Sequence, residues 1–173
     1  MDLINKVKNF MTFGSVWDET NRTTKEILWR NIFIDTVNGY DWYKKKSLSL
    51  GRWAIGYNYA YVLVRVLEAI HPKEILECGL GQSSKIINDY VETYSDVLYD
   101  IVEHDPEWID FFCTENQISS KVKINRSDMI EKQYLGASLY VYKDFGKIVE
   151  GKKYTFISID GPWGGGYARV LMY

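Results

Sequence analysis

Several residue types are scarce in this 173-residue chain, and each scarcity excludes a class of protein. Its two cysteines lack metal-ligand spacing, so neither a disulfide framework nor a zinc site is expected, and two free thiols suit the cytoplasm. No apolar run approaches the roughly 18 residues of a membrane-spanning helix. Charged residues are mixed with apolar ones within Met1–Phe10, so we expect no secretory leader. Net charge is −2 and Lys44–Lys46 is the longest basic run, so we expect no nucleic-acid partner.

Apolar and aromatic residues are plentiful instead, at 46% and 16% of the chain, which is enough to bury the core of one folded domain. We predict a helical N-terminal extension over residues 1–50 and one folded domain over residues 51–173. In the extension, Thr23 or Thr24 is expected to cap a helix that ends near Asn38. A second helix is predicted over Tyr57–Ile70, ended by the proline at position 72.

From Lys73 onward, short apolar strands alternate with helical patterns. The predicted strands are Glu74–Cys78, Val97–Val102, Lys121–Asn125 and Tyr154–Asp160. Ser83 or Ser84 is expected to cap one intervening helix, and Asp105 with Pro106 begins the next. Ser138–Tyr142 fits either a minor strand or an irregular segment. This alternation predicts an α/β fold with a parallel sheet, in which ligands bind at the carboxyl ends of the strands.

A glycine turn and an acidic residue stand at that predicted edge. Gly79 and Gly81 let the backbone turn tightly and approach a ligand closely. Glu103 follows Gly81 by 22 residues, at the end of the next strand, which is the usual spacing of a ribose-binding carboxylate in nucleoside-cofactor folds. An ordinary strand-to-helix turn and a solvated acid are the alternatives to a nucleoside site.

Glu77 bears on which nucleoside is bound. A nicotinamide dinucleotide places its pyrophosphate against the glycine turn, where the carboxylate of Glu77 would repel it. S-adenosylmethionine has no phosphate and carries a cationic sulfonium and an ammonium, so a carboxylate favours it. The third glycine of the dinucleotide motif is replaced by Ser84. An alternative places Glu77 in solvent at the sheet edge.

These residues resemble the motifs of class I S-adenosylmethionine-dependent methyltransferases. Ile75-Leu-Glu-Cys-Gly-Leu-Gly-Gln-Ser-Ser84 is similar to the first motif, Val102-Glu-His-Asp105 to the second and Ile157-Ser-Ile-Asp-Gly-Pro162 to the fourth. Together with the preceding Gly56-Tyr57, they resemble bacterial methyltransferase-like proteins found with surface-polysaccharide genes. The resemblance covers about residues 51–169.

The resemblance implies a cofactor contact for each of several residues. The methionyl part of S-adenosylmethionine would contact or lie beside Glu77, Gly79, Gly81, Gln82 and Ser83. The ribose would bind Glu103, the adenine ring would lie against His104, and its amino group would face Ser127 and Asp128. Asp160 would lie near the sulfonium and the acceptor, as a general base, a cation ligand or a positioning group; capping of the following turn is the alternative.

The family fold has about seven strands, whereas this chain ends 13 residues after Asp160. The resemblance therefore implies a truncated Rossmann-like cofactor-binding domain over residues 51–173. Its parallel sheet would have the strand order 3-2-1-4, with the fourth strand as an open edge. We expect a fragment of a longer protein; a homodimer or the N-terminal helices covering the edge are the alternatives. The expected activity is methyl transfer to an oxygen or nitrogen of a small-molecule or saccharide acceptor, without a metal. A non-catalytic methyltransferase-like protein and an NAD-dependent oxidoreductase remain alternatives.

Overall fold

The computed structural model describes residues 3–44, 47–51, 54–134 and 136–161, which form five helices and six strands. The helices are α1 (Leu3–Val37), α2 (Tyr57–Ile70), α3 (Gln82–Thr93), α4 (Pro106–Glu115) and α5 (Phe145–Val149). The strands are β1 (Glu74–Cys78), β2 (Leu98–Glu103), β3 (Val122–Arg126), β4 (Met129–Tyr134), β5 (Ala137–Tyr142) and β6 (Phe156–Ile159). Each of the four predicted strands is present, with ends within two residues of those expected.

Four of the strands form a parallel sheet in the order β3-β2-β1-β6. Because β6 is the fourth strand predicted from the sequence, this is the expected order 3-2-1-4, and the Rossmann-like α/β fold is confirmed. Glu77 pairs in register with Ile101 of β2 and with Ser158 of β6. Parallel pairing brings the carboxyl ends of all four strands to one edge, where the candidate site lies.

One face of the sheet is covered by α2, α3 and α4. The apolar side chains that face them from β1 and β2 are buried, as are Val64 and Leu67 of α2 and Ile86 and Ile87 of α3. Burial of a large aliphatic side chain stabilises the fold by about 1.5–3 kcal/mol. The helix α2 has the bounds predicted from its apolar spacing.

The other face is covered by an antiparallel hairpin of β4 and β5 together with α5. Leu76, Val102 and Tyr142 form a smaller buried cluster there. Ser138–Tyr142, which fitted two interpretations in the sequence, is therefore a strand, and its partner β4 was not predicted. The hairpin turns through Gly136, whose φ of +81° favours glycine.

The helix α1 corrects the prediction for the N-terminal segment. Thr23 and Thr24 lie inside this helix rather than at its start, and the Thr24 hydroxyl donates to the Thr20 carbonyl one turn earlier at 2.9 Å. The hydroxyl of a threonine within a helix can donate to a carbonyl one turn earlier. The presence of a threonine therefore does not by itself mark the start of a helix. Phe33 and Val37 near the end of α1 are buried against the core.

The end of α2 stores backbone strain that a substitution can release. His71 has a left-handed conformation with φ of +48° and ψ of +57°, which costs a residue with a Cβ about 1–2 kcal/mol. We expect His71→Gly to raise the free energy of unfolding by about 0.5–1 kcal/mol after the added chain entropy of glycine. His71→Ala keeps the strain and loses the ring contact with Tyr94. Urea unfolding should rank glycine above alanine, and the reverse order would contradict strain at this position.

The described residues contain no helix that is long and apolar enough to cross a membrane. β6 pairs with β1 in the sheet, and Ile157 of β6 is 47% exposed. The predicted truncation of the sheet depends on residues 162–173, which lie outside the described residues.

Candidate functional site

The glycine turn between β1 and α3 forms the centre of the site, and its two glycines have different tasks. Gly79 has φ of +98°, and a Cβ there would lie 2.7 Å from the Gly161 nitrogen. This glycine therefore allows the turn to pack against the loop that follows β6. Gly81 has extended φ of −170°, and a Cβ on it would point into open space. The second glycine thus leaves room above the turn.

The start of α3 corrects the predicted cap. The helix begins at Gln82 with Gly81 as the capping residue, so neither Ser83 nor Ser84 is the cap. The Ser84 hydroxyl instead accepts a hydrogen bond from the Gly81 N–H at 2.9 Å and donates to the carboxylate of Glu77. This serine therefore joins the glycine turn to the buried acid beneath it.

The backbone N–H groups of the glycine turn are used within the protein. The Gly79 N–H donates to the Val102 carbonyl at 2.8 Å, and the Leu80 N–H donates to Glu103 Oε2 at 2.9 Å. The Gly81 N–H is held by Ser84. A pyrophosphate bound to a glycine turn takes hydrogen bonds from such N–H groups and from the start of the following helix, and the three N–H groups of this turn are already used within the protein.

Glu77 lies beneath the turn and is fully buried. Its carboxylate accepts hydrogen bonds from the hydroxyls of Ser84, Tyr99 and Ser158, the last at 3.3 Å. Burial raises the pKa of Glu77 to about 7, against the hydroxyl hydrogen bonds, which lower it, and with a smaller contribution from the charge of Asp160. The alternative in which Glu77 reaches solvent at the sheet edge is therefore wrong.

A chain of hydroxyls extends this cluster to α2. The Ser158 hydroxyl lies 2.8 Å from that of Tyr59. The pKa of Tyr99 is raised well above 10, first by burial and then by Glu77, so this tyrosine remains a neutral donor. The cluster ties the glycine turn to β2, β6 and α2 through one carboxyl group.

Glu103 is 5% exposed and joins two loops at the edge of the sheet. Its Oε2 accepts from the Leu80 N–H, and its Oε1 accepts from the N–H groups of His104 at 2.7 Å and Asp105 at 3.1 Å. The alternative of a solvated acid is excluded. Since a carboxylate offers about four lone-pair sites, Oε2 retains capacity for one further donor.

The remaining predicted residues are placed differently. His104 is partly exposed, with its Nδ1 2.7 Å from Glu103 Oε1. Gln82 accepts from the Ser49 N–H at 3.0 Å, and the buried Ser127 accepts from the Asp144 N–H at 3.0 Å. Asp128 is exposed and pairs with an arginine two residues earlier. Ser83 is fully buried at the start of α3.

Asp160 directly follows β6 at this edge, where its N–H donates to the Cys78 carbonyl at 2.9 Å. Its charge contributes to the raised pKa of Glu77. Together with Glu103, Asp160 gives the surroundings of the glycine turn a negative electrostatic character, which favours a cationic group over an anionic one. Within the described part of the chain, no cluster of three or more histidine, cysteine, aspartate or glutamate residues suits a metal ion.

Trp108 also belongs to the site, although the sequence motifs did not single it out. Its indole Nε1 donates to the Leu80 carbonyl at 2.7 Å, so the ring lies beside the glycine turn. Nothing in the helical periodicity separates it from the buried Phe112 of the same helix. Asp105 caps α4 as predicted, accepting from the N–H of Trp108 at 3.1 Å.

Fold and site together define a Rossmann-like α/β protein with a glycine turn at the carboxyl edge of its parallel sheet and acidic side chains beside that turn. No protein-family model, curated protein or solved structure matches the chain.

Proposed function

We propose that this chain is the cofactor-binding domain of an S-adenosylmethionine-dependent methyltransferase. The observation that carries the proposal is the state of the glycine turn: its N–H groups at positions 79, 80 and 81 are used internally. A pyrophosphate would find none of these three N–H groups free and would face nearby acids. A nucleoside with a cationic sulfonium and an ammonium needs no such donors and gains from the negative surroundings.

The site residues take definite parts in this proposal. The ribose lies at Glu103, whose Oε2 accepts one sugar hydroxyl beside the Leu80 N–H. The methionyl group lies over Gly81, on the side where a Cβ would meet open space. The bound cofactor supplies a methyl group for direct displacement, and Asp160 positions the acceptor or takes its proton. A saccharide acceptor is suggested by the family resemblance.

Isothermal titration calorimetry with S-adenosylhomocysteine and with NAD tests the choice of cofactor. We expect S-adenosylhomocysteine to bind and NAD to leave the heat signal unchanged, because the three N–H groups of the turn already have acceptors within the protein and acids lie nearby. Binding of NAD alone would favour the oxidoreductase. Binding of the nucleoside without methyl transfer to any of a panel of saccharide and small-molecule acceptors would favour the non-catalytic alternative.

Gly81→Ala tests where the ligand lies. The added methyl group meets no protein atom within 4 Å, so we expect little change in melting temperature but at least about a tenfold loss of S-adenosylhomocysteine affinity, since the ligand must approach this backbone. Gly146→Ala is the matched control, because its Cβ also meets open space but lies in α5. Equal affinities for the two variants would place the ligand elsewhere.

A further inference from the structure

Two large aromatic side chains of α4 are exposed beside the candidate site. Trp108 is 37% exposed and Phe111 is 56% exposed, whereas Phe112 of the same helix is buried. The rings of Trp108 and Phe111 stack with centroids 5.5 Å apart and planes 30° from parallel. Exposed aromatic rings leave apolar surface in contact with water, and a flat ligand can cover that surface. We call Trp108 and Phe111 the aromatic pair.

The indole of Trp108 is held in one orientation. Its Nε1 donates to the Leu80 carbonyl, and its ring also contacts Phe112 at a centroid distance of 6.3 Å. The backbone N–H of the same residue is fixed by the capping carboxylate of Asp105. These three contacts already fix the side chain and the backbone of Trp108. Little conformational entropy is therefore lost when a ligand stacks on its ring.

Leu80 connects the aromatic pair to the acid at the end of β2. The N–H of Leu80 donates to Glu103 and its carbonyl accepts from Trp108. One residue of the glycine turn therefore separates the carboxylate from the indole nitrogen. A ligand with a sugar at Glu103 would carry whatever is attached to that sugar into reach of the exposed rings.

From this arrangement we propose that the aromatic pair is the base-stacking surface of the site, which binds the planar base of a nucleoside whose ribose lies at Glu103. The inference rests on the proposed function for the position of the ribose. Stacking on aromatic side chains tolerates any base, since each base presents a flat π surface. The pair therefore supplies affinity for a nucleoside, and the negative surroundings of the glycine turn select the group attached to it.

Three variants separate stacking from a structural role of Trp108. Trp108→Leu removes the ring and the hydrogen bond to Leu80, whereas Trp108→Phe removes the hydrogen bond but keeps a flat, smaller ring. Phe111→Leu removes the second ring without touching the turn. Tyr140→Leu is the control, because this tyrosine is 59% exposed on β5 and far along the chain from α4. Melting temperatures of all four variants establish that they fold.

Calorimetric dissociation constants for adenosine, S-adenosylhomocysteine and NAD give the readout. We expect Trp108→Leu to weaken nucleoside binding at least about tenfold, Trp108→Phe and Phe111→Leu to weaken it less, and Tyr140→Leu to leave it unchanged. Equal losses for the leucine and phenylalanine variants at position 108 would overturn stacking and assign the effect to the lost hydrogen bond. Unchanged binding by Trp108→Leu would also overturn it.

The two proposals fail in different ways in this experiment. If S-adenosylhomocysteine binds equally well to the native protein and to Trp108→Leu, the stacking inference falls and the proposed function stands. If adenosine or NAD binds through Trp108 while S-adenosylhomocysteine does not bind, the inference stands and the proposed function falls. If none of the three ligands binds to the native protein, both are overturned.

Discussion

Between about pH 4.5 and pH 7, titration of Glu77 is expected to lower the free energy of unfolding by about 3 kcal/mol. Burial raises the pKa of this carboxyl to about 7 from an ordinary value of 4.5, and each pKa unit corresponds to about 1.4 kcal/mol. The folded protein then holds a proton that the unfolded chain releases. The stabilisation is complete below the unfolded pKa and is lost as the pH rises through the folded pKa.

Glu77→Gln isolates this contribution, because the amide has a similar shape and no charge to titrate. We expect the stability difference between native protein and variant, measured by urea unfolding from pH 4.5 to pH 8, to shift in favour of the variant as the pH rises. Glu74→Gln is the matched control, since it makes the same change at the partly exposed start of the same strand. A Glu77→Gln variant that keeps the full pH slope would show that another group is responsible.

Gly79→Ala is expected to destabilise the fold by about 3 kcal/mol. The residue has φ of +98°, and an added Cβ would lie 2.7 Å from the Gly161 nitrogen and 2.9 Å from its Cα. Both contacts are with backbone, which cannot rotate away as a side chain can. A strained left-handed residue costs about 1–2 kcal/mol, and forcing an extra methyl group into a packed region costs about 1–3 kcal/mol.

The neighbouring glycine of the turn provides the comparison for Gly79→Ala. Because Gly81 has extended φ and open space at its Cβ, Gly81→Ala should change the free energy of unfolding by less than about 0.5 kcal/mol. Chemical denaturation of both variants at one pH measures the difference. Similar losses at the two positions would mean that general flexibility of the turn, rather than contact with the loop after β6, requires glycine.

The regular elements of this fold follow from local chemistry. The apolar spacing of Tyr57–Ile70 gives α2 its observed bounds, and the acidic cap with proline at position 106 begins α4. Each depends on residues within one or two helical turns, so the sequence alone carries the information. Strand alternation with helices likewise predicts a parallel sheet, because a right-handed crossover leaves few other arrangements.

The hairpin of β4 and β5 was beyond such reasoning. Met129–Tyr134 has no clear alternation of apolar and polar residues, and it becomes a strand by pairing with Ala137–Tyr142. Pairing depends on cross-strand contacts and on what the sheet face offers to cover, here the cluster around Leu76 and Val102. The tertiary context therefore overrides a weak local pattern.

Some features of the site also follow from the sequence, whereas others depend on the tertiary structure. Its glycines, its two acids and their place at the carboxyl ends of β1 and β2 follow from spacing along the chain. The partners of Glu77 do not, because Tyr99 and Ser158 lie 22 and 81 positions away and meet it only through strand register. The exposure of Trp108 likewise depends on how α4 lies against the turn.

The sequence by itself determined the alternation of strands and helices and the position of the glycine turn, because these depend on residues close together in the chain. Only the tertiary structure decided that Glu77 is enclosed by hydroxyls, that the N–H groups of the turn are used internally and that Trp108 faces solvent. Burial and hydrogen-bond partners are set by residues distant in sequence, and they govern which ligand the turn can accept.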